Sequence, residues 1–269
     1  MSELLSSLRF LTPKPLRPDD PLFIFLPGMD GTGQLLKRQL DGLSQHFDIR
    51  CLSIPATDLS DWEHLTASVV TLIQKEQRQR PIYLCGESFG GCLALRVAAA
   101  APELFDRLVL INSATAFSRL PWMRLASSAA KFLPSPLYTL SASGLIPFLI
   151  AWDRVESSDR IDLLNAMQSV ESHSATWRLN LLRQFDLLQL PLSTLMIPTL
   201  IITGAKDRLL PSMTEGQRLV GCLPKAQVTV LENSGHACLL EKEVNLYEIL
   251  SQQGFLTCRW QELGEELSS

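Results

Sequence analysis

Charge is scarce in this sequence. Asp, Glu, Lys and Arg make up 19% of the 269 residues, and the formal net charge is −4. A chain this poor in charge, with no basic excess, gives the phosphates of nucleic acid nothing to hold. The basic positions around Arg78 and Arg80 read as a solvated helix end. Cysteine is sparse and unpatterned: Cys51, Cys85, Cys92, Cys222, Cys238 and Cys258 show no paired spacing. That argues against both a disulfide framework and a zinc site. Cys51 and Cys85 lie in apolar runs, where a free thiol behaves as a small hydrophobe, so a reducing, cytoplasmic location is expected. Met1 to Asp20 lacks a basic start followed by a long apolar stretch, and no secretory signal is expected. A continuous membrane span is missing too. The uncharged run Phe132–Trp152 covers 21 positions, long enough for one. However, Pro134, Pro136, Gly144 and Pro147 break it, and Ser135, Thr139, Ser141 and Ser143 add hydroxyls. A buried or lipid-facing lid is the expectation. No internal repeat or low-complexity tract is present.

What remains is plentiful apolar material. With 46% hydrophobic residues, a chain of this length can bury one large core. Short apolar runs alternate with helical patterns, which points to an α/β fold with a mostly parallel sheet covered on both faces. Strands are predicted at Leu22–Leu26, Ile49–Ile54, Ile82–Cys85, Leu108–Ile111, Leu200–Thr203 and Val228–Leu231. Helices are predicted at Asp61–Gln79, with Asp61 as N-cap and Leu65, Val69, Leu72 and Ile73 on one stripe. Further helices are expected at Phe89–Ala101, Ser212–Cys222 and Lys242–Gln253. The rhythm breaks between Thr115 and Pro198, a stretch of helical pieces punctuated by Pro121, Pro134, Pro136, Pro147 and Pro191. The predicted organisation is therefore a core of residues 1–114 and 199–269, with 115–198 inserted as a helical cap or lid.

Chemistry concentrates at strand ends. Gly86-Glu87-Ser88-Phe89-Gly90 sits between a predicted strand and a predicted helix, where a sharp turn lifts a serine hydroxyl above the sheet. Side chains at Gly86 or Gly90 would collide with nearby backbone at so tight a bend. A serine hydroxyl needs an adjacent base. Of the four histidines, His46 and His64 precede Ser88, and His173 lies in the insertion. His236, in Asn233-Ser234-Gly235-His236 just after the last strand, fits the chain order nucleophile, acid, histidine. Asp207, in Gly204-Ala205-Lys206-Asp207-Arg208, is the candidate acid that orients His236. The other place for such an acid follows Leu108–Ile111, where the sequence reads Asn112-Ser113-Ala114 and offers no carboxylate. Asp106 and Asp186 read as a helix-end residue and a solvated face. Two backbone N–H groups are needed to hold a developing oxyanion, and Phe89 and Met29 are the candidates. Met29 lies in Pro27-Gly28-Met29-Asp30-Gly31-Thr32-Gly33. Those glycines also resemble part of a phosphate loop, but the third glycine and the Lys-Ser/Thr of a P-loop are missing, so nucleotide binding is the weaker alternative. No metal or organic cofactor is implied.

Taken together these residues resemble the α/β-hydrolase superfamily. More narrowly, three blocks are similar to the hydrolase half of plant plastid phytyl ester synthases: Leu26 to Gly33, Arg80 to Leu95, and Ser234 to Glu241. The run Trp177-Arg178-Leu179-Asn180-Leu181-Leu182 shares the likeness. The resemblance implies ester hydrolysis or acyl transfer on lipids, with Ser88, Asp207 and His236 as triad. Plant members carry a second, acyltransferase half with a His-x4-Asp motif, to which nothing here corresponds. The expectation is a carboxylic ester hydrolase of the esterase or lipase kind, acting on long-chain acyl or prenyl lipid esters. The lid is expected to touch membrane surfaces transiently. A lipid acyltransferase using the same triad, or a binding protein with an idle triad, are the alternatives.

Overall fold

The computed structural model describes residues 7–76, 79–121 and 144–257. Among the described residues seven strands form one sheet in the order β1-β3-β2-β4-β5-β6-β7. They are β1 (Arg9–Leu11), β2 (Leu22–Leu26), β3 (Asp48–Ser53), β4 (Ile82–Glu87), β5 (Arg107–Ile111), β6 (Thr199–Gly204) and β7 (Ala226–Leu231). Six of them run parallel, and β1 joins the edge of β3 antiparallel. Central strands such as β2 are buried at every residue, as a parallel sheet covered on both faces requires. Alternate residues feed two cores. Leu22, Ile24 and Leu26 pack on one face, and Phe23 and Phe25 on the other.

The helices divide accordingly. Helix α1 (Leu40–Leu43) and α7 (Leu246–Gln252) cover the Phe23 face through Leu43, Leu246 and Leu250. Helices α2 (Trp62–Glu76), α3 (Phe89–Ala100) and α6 (Ser212–Cys222) cover the other through Val69, Leu93 and Leu219. Asp61 caps α2 as expected, its Oδ1 accepting the backbone N–H of His64 at 2.8 Å. Between β5 and β6 the described residues form helices and no strand of the sheet. A helical stretch at 144–149, α4 (Ser157–Ser169) and α5 (Ser172–Gln184) are described there. Helix α5 joins the main core through Leu181 and Leu182, whereas Leu163 of α4 packs in a separate cluster with Leu35, Ile146, Ile150 and Leu240.

Three expectations need correction. The three-residue strand β1 was not anticipated: it is half-buried and too short to show a period. The helix expected at Lys242–Gln253 starts only at Leu246, where Asn245 caps it by accepting the Glu248 N–H at 3.2 Å. The solvated helix end around Arg80 is not solvated at that residue. Arg80 is buried and donates to Asp48 Oδ2 at 2.8 Å and to the carbonyls of Arg17, Pro18 and Asp20. Burial of the arginine is offset by these four acceptors, all on Nη1, while its Nε is buried without a partner among the described residues. The first part of the uncharged run, 132–143, lies outside the described residues, as do Arg78 and Cys258. In its remainder Ile146 and Ile150 are buried, while Leu145, Phe148 and Trp152 are exposed.

Candidate active site

Ser88 stands where β4 gives way to α3. Its backbone takes φ 53° and ψ −114°, a sparsely populated conformation for a residue with a side chain. Surroundings hold it there. Its N–H donates to Ile111 O at 3.0 Å, and its carbonyl accepts from Gly91 N and Ala114 N, both at 3.0 Å. The flanking glycines are required by contact. A Cβ at Gly86 would lie 2.2 Å from Gly90 O, and one at Gly90 would lie 2.0 Å from Leu26 O. Ser88 itself is only partly buried, so its hydroxyl remains reachable.

His236 and Asp207 converge on it from the ends of β7 and β6. The His236 Nε2 and Ser88 Oγ are 2.9 Å apart, and His236 Nδ1 is 2.8 Å from Asp207 Oδ2. A carboxylate can only accept, so Nδ1 carries the proton and Nε2 is left to accept from the serine hydroxyl. Asp207 is fixed by further donors: Leu209 N at 2.8 Å and Leu210 N at 2.9 Å on Oδ1, and the Ser212 hydroxyl on Oδ2. Burial pushes the Asp207 carboxyl up, but the His236 charge and these hydrogen bonds outweigh it and hold it below the ordinary carboxylate value. Burial likewise disfavours charge on His236. The Asp207 charge and hydrogen bond, with the charge of Glu87, reverse this and raise its pKa. The arrangement is competent to draw a proton from Ser88 and to hold it on the imidazole.

The structure thus brings Ser88, Asp207 and His236 together. The oxyanion candidates flank the same serine. Phe89 is the first residue of α3, where helical N–H groups have no partner within the helix. The Met29 loop lies alongside, since a Cβ on Gly28 would sit 3.8 Å from Ser88 Cβ. His46 and His64 are exposed, as is His173 on α5. Asp106 accepts the N–H of Ile82 at 2.8 Å, and Asp186 caps a short turn through Leu188 N. Among the described residues no group of three or more His, Cys, Asp or Glu side chains is placed to hold a metal ion. Cys51, Cys85, Cys92 and Cys238 are free and buried.

Three residues of the site carried no signal of their role. Asn112 was read only as a missing carboxylate. Its amide donates to His236 O at 2.7 Å and Gly235 O at 3.1 Å, and its carbonyl accepts from Gly204 N at 2.8 Å. It therefore ties the histidine loop to the end of β6. Glu241, fully buried, accepts the Gly235 N–H at 2.7 Å and pairs with Arg154 at 2.7 Å. Glu87, beside the serine, is buried, and desolvation is the main cause that raises its pKa to about 7, with the His236 charge opposing.

A parallel sheet carrying Ser, Asp and His in this order at its carboxyl edge defines an α/β hydrolase. The profile of the family described as "Serine aminopeptidase, S33" matches residues 57–243, and the chain belongs to that family. It is 32% identical over 267 residues to phytyl ester synthase 1, chloroplastic, of Arabidopsis thaliana, covering 90% of this chain and 38% of that protein. The chain thus spans about two-fifths of the length of this relative. A pimeloyl-[acyl-carrier protein] methyl ester esterase from Vibrio campbellii is 24% identical, covering 81% of this chain and 88% of that protein. Among solved structures, the esterase EaEST from Exiguobacterium antarcticum superposes with a TM-score of 0.76 at 18% identity, covering 91% of this chain and 94% of that one. Among the described residues no helix is long and apolar enough to cross a membrane.

Proposed function

We propose that this protein hydrolyses carboxylic esters through an acyl-enzyme on Ser88. The observation that carries this is the unbroken path Asp207–His236–Ser88, with contacts of 2.8 and 2.9 Å at a serine held in a strained turn. In this reading Ser88 Oγ attacks the ester carbonyl while its proton passes to His236 Nε2. The tetrahedral oxyanion lies on the N–H groups of Phe89 and Met29. Collapse breaks the bond to the alcohol, which takes the proton from His236. Water then attacks the acyl-enzyme with His236 as base, and the acid leaves. The likeness to named esterases supports the reaction class.

Long-chain acyl or prenyl lipid esters are the proposed substrates, with the insertion between β5 and β6 as lid. The exposed apolar side chains Leu145, Phe148 and Trp152 support this, since an apolar edge suits greasy substrates and brief contact with membranes. The likeness to a phytyl ester synthase favours a second reading, transfer of the acyl group to a lipid alcohol in place of water. Both share the acyl-enzyme.

A fluorophosphonate probe tests the first step. Wild-type protein should label and Ser88→Ala should not; equal labelling of the two would sink the assignment. Incubation with a long-chain acyl ester and phytol, followed by quantification of free acid and phytyl ester, separates the two outcomes. Free acid should dominate, and a product mixture dominated by phytyl ester would promote the transferase.

A further inference from the structure

Arg178 lies on α5, in the insertion, yet its guanidinium reaches the loop after β2. Nη1 donates to Met29 O at 2.7 Å and to Asp30 O at 3.1 Å, and Nη2 donates to Pro55 O at 2.9 Å. The side chain is 2% exposed, so these are charge-assisted bonds in a dry setting, stronger than their neutral counterparts. The recipient loop is a tight turn in which Gly31 N donates to Gly28 O at 3.0 Å. Met29 and Asp30 are its two central residues, and Arg178 grips both of their carbonyls. Gly31 is shaped for this grip. It has φ +68°, and a Cβ there would lie 2.6 Å from Nη1 and 3.0 Å from both Cζ and Nη2. Only glycine lets the guanidinium lie against the turn.

The grip bears on the N–H of Met29. In a trans peptide the N–H points opposite the carbonyl of the same unit. Gly28 O is aimed into the turn at Gly31 N, so the Met29 N–H is aimed out of it. The direction of that N–H follows the turn, and the turn is held by Arg178. A guanidinium on this loop also carries the sign of charge that a developing oxyanion needs.

We infer that Arg178 is a positioning residue: it sets the oxyanion donor of Met29 from the insertion, so that the packing of α5 governs stabilisation of the transition state. This rests on the esterase reading given above. Its mark is a loss expressed in kcat and in affinity for tetrahedral analogues, and not in ground-state binding.

The test compares full-length wild type, Arg178→Ala, Arg178→Lys and Arg38→Met on p-nitrophenyl butyrate, with a trifluoromethyl ketone as tetrahedral analogue and circular dichroism as the check on folding. Arg38 also ties the insertion to the core, through Asp159 and Glu156, but touches nothing in the 28–31 turn. Arg178→Ala should lower kcat about 10- to 100-fold with KM within about threefold, the pattern of a misplaced oxyanion donor. Affinity for the ketone should fall by a similar factor, and added guanidinium ion should restore part of both. Arg38→Met should leave the ratio of ketone affinity to KM unchanged. If Arg178→Ala does not fold, Arg178→Lys decides, because one ammonium cannot reproduce the fork across three carbonyls. Unchanged ketone affinity in a folded Arg178 variant, a loss confined to KM, or an equal loss in Arg38→Met would overturn the inference alone. Wild-type protein that neither hydrolyses the ester nor labels with a fluorophosphonate would overturn the esterase reading, and this inference with it.

Discussion

Two loops meet at Ser88, and they are secured in different ways. The histidine loop is held from several directions: Asn112 grips the carbonyls of Gly235 and His236, Glu241 takes the Gly235 N–H, and Ala237 N donates to Leu149 O at 2.8 Å. The loop after β2 has its two central carbonyls in the hands of one side chain, Arg178. Position of the base is thus spread over the sheet and its neighbours, whereas the two central carbonyls of the opposite turn share one cation, the other ties of that loop (Ile54 N to Gly31 O, Thr32 to Asp30 Oδ2) lying beside them. Redundant ties should fail gradually, and a single tie should fail at once.

The largest effect comes from removing the chemical groups, which leaves both loops in place. Ser88→Ala or His236→Ala should lower kcat by on the order of 10⁴-fold or more, because triad members act as a unit. Asp207→Asn should cost on the order of 10⁴-fold by presenting the wrong imidazole tautomer. All three should remain folded by circular dichroism, and near-full activity in Ser88→Ala would refute the site.

Next comes Asn112, the most connected tie of the histidine loop. Asn112→Ala leaves a buried N–H and two buried carbonyls without this partner and should destabilise by about 3 kcal/mol or more, at roughly 1–3 kcal/mol for each of the three groups. Its φ of 41° adds strain for alanine. Asn112→Asp should not rescue, because a carboxylate cannot donate to Gly235 O and His236 O. Denaturant unfolding alongside kcat checks both variants. A wild-type Asn112→Asp would mean that these contacts do not hold the histidine.

The smallest effect concerns pH. Burial raises Glu87 to about 7, so its anion forms only as the pH rises through neutrality. That anion is one of the charges keeping the His236 pKa high. Glu87→Gln should therefore lower the His236 pKa and move the acid limb of the kcat/KM profile down by less than about one pH unit. Stability follows the opposite order from a usual carboxylate. The folded state keeps a proton between 4.5 and about 7 that the unfolded chain has already released, so stability falls as pH rises across that window. Glu87→Gln should accordingly raise the melting temperature more at pH 8 than at pH 5. An equal change at both values would show that the carboxyl titrates normally.

How much of this was legible in the sequence depends on the reach of each signal. Ser88 announces itself locally, by glycines between a strand and a helix, and His236 and Asp207 follow from their places after strands. The core strands were legible because each is a short, mostly apolar run. Residues that act across long sequence separations were not. The Asn112 side chain bonds to partners 92 to 126 residues away, and Arg178 to partners 123 to 149 away. Arg80 misled for the same reason, since its acceptors lie 32 to 63 residues earlier. A polar side chain inside a helix or at a strand end looks alike in sequence whether it meets water or a distant carbonyl.

The pair Arg154–Glu241 bears on exchange of parts between relatives. Glu241 is 0% exposed and belongs to the core half of the chain, while its cation comes from the segment between β5 and β6. A chimaera that replaced that segment with one lacking the arginine would leave a buried carboxylate uncompensated beneath the histidine loop, a defect of about 3–5 kcal/mol. Specificity grafts on this scaffold therefore inherit a compatibility rule: the donor segment must bring its own cation to this spot, or the recipient must lose the acid.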